Sequence, residues 1–166
     1  ISNNFQAMFK RLFGGGRAEL SLTDPEDVLN SGIEILAQPP GKSMSTLSLL
    51  SGGERSMTAV ALLFATYQVK PSPFCILDEI DAALDDRNIG YFLDVLQDFA
   101  RNSQFIIITH NTHTVTGGDS MLGVSQMEPG VSTAVAYRIA SIEGQPRILN
   151  DEGESVEFDE EGRKKG

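Results

Sequence analysis

The sequence contains a single cysteine, Cys75, set in an apolar run. One thiol excludes an internal disulfide and favours a reducing, intracellular setting. No apolar stretch approaches the roughly 18 residues that a membrane helix needs, so no membrane partner is expected. There is no secretory pattern at Ile1. There is no initiator methionine either, which suggests a fragment or a processed chain. Basic residues are scarce: 13 Lys and Arg face 23 Asp and Glu, for a net charge of −10. Seven of the acids and three of the bases lie in residues 151–166, which therefore carry −4, and the remainder supplies −6. Such a chain has no overall field to attract DNA, and contact with nucleic acid would need a local basic patch or another subunit. Lys10, Arg11 and Arg17 cluster near the start. An ordinary solvated surface explains them more readily than a DNA patch.

What is present is a soluble, globular composition, 40% hydrophobic and 22% charged, over 166 residues, enough for one ordinary domain. Residues 3–13 place Phe5, Met8, Phe9, Leu12 and Phe13 at helical spacing, and the glycines at 14–16 end that helix. Residues 18–22 and 33–38 alternate apolar and polar and read as two antiparallel strands, the second stopped by Pro39 and Pro40. Residues 54–69 form a helix apolar on almost every side, which belongs in the interior of an α/β fold. "FCIL" at 74–77 and "QFIIIT" at 104–109 read as buried parallel strands around an amphipathic helix over 86–101. Two further strands flank a turn at Glu128-Pro129-Gly130. The acidic segment from Asp151 is expected to be weakly ordered. No internal repeat is present. The order predicts an α/β fold: a mostly parallel sheet flanked by helices, with an antiparallel β addition.

No P-loop is present. Gly41-Lys42-Ser43 has the right ending for G-x-x-x-x-G-K-[ST], but the first position holds Leu36, and Pro39 and Pro40 remove backbone donors from the loop. "GGGR" at 14–17 lacks the Lys-Ser/Thr pair. A different phosphate candidate follows at once. Ser51, Gly52 and Gly53 precede the apolar helix, whose first turn offers unpaired N–H groups and a partial positive charge. The same residues also fit a serine N-cap with glycines in a turn. In "FCILDEIDAALDD" an apolar strand leads straight into Asp78 and Glu79. That is where ligand chemistry gathers in a parallel sheet. An aspartate there suits Mg²⁺ through water, and a glutamate can orient or deprotonate an attacking water. A pair of solvated acids is the plainer alternative. "QFIIITH" repeats the design and ends on His110. His110 and His113 alone are too few for a metal site.

Taken together, "LSLLSGGE", "PSPFCILDEIDAALDD" and "FIIITH" resemble the signature motif, Walker B, D-loop and switch histidine of ABC-type ATPases. "LFGGGRAELSLTDPEDVLNSGIEILAQPPGK" and "LGVSQMEPGVS" narrow the resemblance to the C-terminal lobe of the ATPase head of bacterial SMC (structural maintenance of chromosomes) proteins, over about residues 5–140. Transporter ATPases typically have Gln at the position of Glu54 and Pro at that of Ile80. "NTHTVTGGD" departs from the family in lacking a basic, methionine-containing stretch.

The resemblance implies a lobe over 1–150, with a helix at the coiled-coil base over 1–13, a β pair over 18–38 and the motif core over 51–110. The P-loop would lie on an N-terminal lobe beyond a coiled coil. It implies ATP and Mg²⁺ as cofactors, with Asp78 helping to hold the metal, Glu79 activating water and His110 sensing the γ-phosphate. Ser51, Gly52, Gly53 and Glu54 would serve nucleotide on an opposite head, and Ala83, Leu84 and Asp85 would form the D-loop. The implied partners are the N-terminal lobe, a second head, a kleisin subunit and, through the whole complex, DNA. The implied role is chromosome condensation and segregation in the cytoplasm, at the nucleoid. A coiled-coil ABC ATPase of double-strand-break repair or recombination is the alternative.

Overall fold

The phenylalanine stripe at the start of the chain builds the first helix, α1 (Ser2–Leu12), and Phe5, Met8, Phe9 and Leu12 are all buried. The structure, a computed structural model, describes residues 1–158. After α1 the backbone turns through Gly14, Gly15 and Gly16, all at positive φ. Gly16 is the tightest of these: a Cβ there would lie 2.3 Å from the carbonyl oxygen of Gln38. The turn delivers the chain into β1 (Arg17–Leu22), which pairs antiparallel with β2 (Ile33–Gln38), and β2 pairs with the two-residue β3 (Ser45–Thr46). A 3₁₀ turn at Leu47–Leu49 leads to α2 (Gly52–Tyr67).

β4 (Phe74–Asp78) and β5 (Gln104–Ile108) form a two-stranded parallel sheet, linked by α3 (Asp86–Ala100). Phe64 of α2 stacks on Phe99 of α3 at a centroid separation of 5.3 Å. Phe5, Phe9, Phe64 and Phe92 are buried to 1% exposure or less. Each contributes roughly 1.5–3 kcal/mol of hydrophobic stabilisation relative to exposure. Arg11 of α1 is paired with Asp98 of α3 at 2.6 Å and donates to the Asp94 carbonyl at 2.8 Å. Within the basic cluster of residues 10–17 it therefore ties two helices together.

The α/β class is the expected one, but the balance of strands differs. Among the described residues the parallel sheet holds two strands, and the other two sheets are antiparallel, with three and four. The strands expected to be buried are covered on one face only. Cys75, Leu77, Phe105 and Ile107 face the core, whereas Phe74, Ile76, Ile106 and Ile108 are 45–58% exposed. Likewise α2 buries Met57, Val60, Ala61 and Phe64 but leaves Ala59 and Leu63 open, so it is not an all-round interior helix.

Ile1–His110 forms one compact unit, and the chain from Asn111 onward forms a second. The division falls inside the span expected to be one lobe. The second unit closes its own sheet, β6 (Ser120–Glu128), β7 (Val131–Ile142), β8 (Gln145–Leu149) and β9 (Ser155–Val156), after a short helix α4 (Thr112–Thr116). β6 and β7 meet across the expected turn at Pro129 and Gly130. The segment from Asp151, expected to be weakly ordered, is paired as far as Val156. Asn150 Oδ1 accepts from the N–H groups of Glu152 and Glu154 and folds the chain back. Val156 is then buried opposite Ile148, and the Phe158 ring meets Tyr137 edge-on at 5.4 Å. The rest of that acidic segment, 159–166, lies outside the described residues. Among the described residues no helix is long and apolar enough to cross a membrane.

Candidate functional site

Ser51 is the N-cap of α2, and the cap is reciprocal. Glu54 N–H points to Ser51 Oγ at 3.4 Å, while Glu54 Oε2 accepts from Ser51 N–H at 3.0 Å and from Ser51 Oγ–H at 2.8 Å. This is the S-x-x-E box that satisfies orphan donors at a helix start. It leaves the N–H groups of Gly52 and Gly53, the first exposed and the second half-buried, with the helix dipole behind them. Gly52 has open space where a side chain would stand, and Gly53 faces the Ala83 carbonyl.

Lys42 completes this corner. Its ammonium lies 2.8 Å from Glu54 Oε1 and donates to Oε2 at 3.0 Å. Lys42 first, then the Ser51 donors, hold the Glu54 carboxyl below its ordinary range, against partial burial that pushes it up. An open concavity of about 470 Å³ runs beside the corner and is lined by Ser51, Gly53, Glu54, Ala83, Asp85 and Arg87, among others. Asp85 caps α3, its Oδ1 accepting from Asn88 N–H at 2.8 Å. Leu84 turns inward to 9% exposure.

A second cluster sits at the strand ends. Asp78 closes β4 in register with Ile108 and is exposed. Alternation along the strand puts it on the bare face with Phe74 and Ile76. Glu79 continues the ladder by one bond, its N–H donating to the Ile108 carbonyl at 2.9 Å, with its backbone at φ 48°. Its Oε1 lies 3.8 Å from His110 Nδ1, and both side chains are exposed. Beneath them Asp81, 2% exposed, accepts from Thr109 Oγ1 at 2.7 Å, joining the loop after β4 to the end of β5.

The predicted residues thus fall into two groups. Ser51, Gly52, Gly53 and Glu54 gather with Ala83 and Asp85, and Asp78 and Glu79 gather with His110. Sequence reasoning missed two contributors. Asp81 lay inside a quoted motif, and its buried bond to Thr109 has no local signature. Lys42 falls in a failed P-loop ending and closes a family-matching stretch, and neither reading gives it a role. Among the described residues no group of three or more His, Cys, Asp or Glu is placed to hold a metal. Asp78 alone fits Mg²⁺ as the one or two protein carboxylates that this ion takes when phosphates and water fill its remaining positions.

A serine-capped helix start beside the loop of Ala83 and Asp85, and acids and a histidine on adjoining parallel strand ends, are thus gathered within one α/β unit. The chain belongs to the RecF/RecN/SMC family, whose N-terminal-domain model matches residues 18–133. It is 51% identical over 139 residues to the chromosome partition protein Smc of Bacillus subtilis strain 168, and 50% identical over 147 residues to that of Lactiplantibacillus plantarum. These alignments cover 84% and 89% of the chain but 12% of each relative, so the chain spans about an eighth of their length. Among solved structures it resembles a chain from work on ATP-driven dimerization and DNA-stimulated activation of SMC ATPases: TM-score 0.75, 41% identity, 81% of each chain covered. It also resembles the Smc head with an extended coiled coil bound to the C-terminal domain of ScpA, derived from Pyrococcus furiosus. There the TM-score is 0.75 at 42% identity, over 82% of this chain and 34% of that one. The fold is similar to that of part of an SMC head.

Proposed function

We propose that the chain is the C-terminal lobe of the ATPase head of a chromosome partition SMC protein, and that it supplies parts to two ATP sites. The observation that carries this reading is the placement of Asp78, Glu79 and His110 at adjoining parallel strand ends, beside a sheet face whose apolar side chains are exposed, in a sequence without a P-loop. The motif content supports the C-terminal assignment, although the matching family model is described as an N-terminal domain. Asp78 emerges on the face that Phe74, Ile76, Ile106 and Ile108 leave uncovered, so a lobe packed there would bring its phosphates to the carboxylate. Bound Mg²⁺ would neutralise phosphate charge at that point.

Glu79 accepts a proton from water as the water oxygen bonds to the γ-phosphorus. The bond from that phosphorus to the ADP oxygen breaks, and ADP and inorganic phosphate result. His110, 3.8 Å from Glu79, hydrogen-bonds the γ-phosphoryl group from the side of β5. Ser51, Gly52 and Gly53 contact the γ-phosphate of nucleotide carried by a second head, with Glu54 capping the turn and Ala83, Leu84 and Asp85 forming the adjoining loop. Binding of ATP between heads becomes association free energy, and hydrolysis removes it. The isolated chain is inactive on this reading. A kleisin subunit joins the lobe, as ScpA joins the related heads, and the complex acts on DNA at the nucleoid.

The test uses the full-length protein. Glu79→Gln slows hydrolysis and accumulates ATP-bound head dimers, and Ser51→Arg blocks ATP-driven association while nucleotide binding to the single head persists. Unchanged turnover in Glu79→Gln removes that residue from the role of base. Equal loss of binding and association in Ser51→Arg rules out the contact across heads.

A further inference from the structure

Lys42 ends a stretch that carries the family resemblance but has no assigned role there, and its main chain is held from both sides. Its N–H donates to the Pro39 carbonyl at 3.1 Å, and its own carbonyl accepts from Gln38 Nε2 at 2.9 Å. The turn carries Pro39, Pro40 and Gly41, the last at φ 77°. A fixed turn thus aims a flexible side chain at one carboxylate, that of Glu54.

Ser51 has one hydroxyl proton, and it is directed at Glu54 Oε2 at 2.8 Å. A phosphoryl oxygen can receive that proton only if the hydroxyl turns away from Glu54. The carboxylate would then stand beside an incoming anion, and like charges at such a distance repel. Lys42 answers both needs. It keeps two contacts on the carboxylate when the Ser51 hydroxyl leaves, and it cancels the charge that would oppose phosphate.

We infer that Lys42 is a positioning residue of the phosphate contact, neutralising Glu54 so that Ser51 can turn its hydroxyl to the γ-phosphoryl group of ATP. The inference rests on the reading of Ser51 as a contact to nucleotide on a second head.

The experiment measures ATP-dependent head association in the full-length protein, together with ATP binding to the single head and the thermal midpoint. Lys42→Ala weakens association on the order of tenfold, with binding to the single head unchanged. Lys42→Arg retains association, and adding Glu54→Gln to Lys42→Ala restores most of it, because no uncompensated charge remains. Wild-type association in Lys42→Ala overturns the inference. So does a loss that follows the thermal midpoint and persists with Glu54→Gln, since a merely structural lysine would behave that way. Ser51→Arg separates the two levels. If it leaves association intact, the reading of Ser51 itself fails; if it abolishes association while Lys42→Ala does not weaken it, only the role of Lys42 fails.

Discussion

Gly53 faces the carbonyl of Ala83 so closely that a Cβ would lie 3.2 Å from the oxygen, whereas a Cβ on Gly52 would meet nothing within 4 Å. Adjacent glycines in one helical turn therefore have different constraints. Gly52→Ala stabilises the fold by about 0.5–1 kcal/mol, through lower entropy of the unfolded chain. Gly53→Ala loses that gain by pushing α2 off the loop at Ala83. Parallel urea titrations of the two variants check the difference.

The turn after α1 is more demanding. At Gly16 a side chain would meet both a positive φ of 78° and the Gln38 carbonyl at 2.3 Å. Gly16→Ala destabilises by about 2–4 kcal/mol, read as a lowered thermal midpoint with α1 detached from the β1–β2 pair.

The Glu54 carboxyl is held below its ordinary range, with Lys42 as the largest cause. Its contribution to stability is complete above the unfolded value, about pH 4.3. That contribution is lost as the pH falls through the lower folded value. Lys42→Ala raises the Glu54 pKa toward the ordinary one and shrinks the contribution. A carbon-detected NMR titration of the Glu54 carboxyl follows the shift directly.

The outer sheet face predicts self-association of the isolated chain, since Phe74, Ile76, Ile106 and Ile108, on two neighbouring strands, are 45–58% exposed. Ile76→Lys with Ile106→Lys abolishes that association without unfolding, because both side chains point away from the core. Sedimentation velocity distinguishes the species.

Much of this architecture is legible from periodicity. The α1 stripe lands on the core residue by residue, and the β1–β2 pair runs over nearly the expected positions. Periodicity records which residues are apolar, not what covers them, so β4 and β5 read as buried when only Cys75, Leu77, Phe105 and Ile107 are packed. Short elements carry too few residues for a pattern. α4 is "THTVT", started by the Asn111 side chain accepting from His113 and Thr114, and β8 contains Pro146. The candidate stretches at Ser51 to Glu54 and at Asp78 and Glu79 stand out in the sequence because their spacing is local. The Lys42–Glu54 pair bridges a turn and a helix start twelve residues apart and follows only from the fold.

Glu79 occupies a backbone conformation, φ 48°, that suits glycine or asparagine better than a long acidic side chain. Local thermodynamics and the proposed proton acceptor therefore pull in opposite directions at this one residue. A population evolved for heat resistance alone, with no demand for turnover, would drift toward Gly or Asn at position 79. On the proposed role of Glu79, it would fossilise the head in a nucleotide-holding form, better folded and unable to let go.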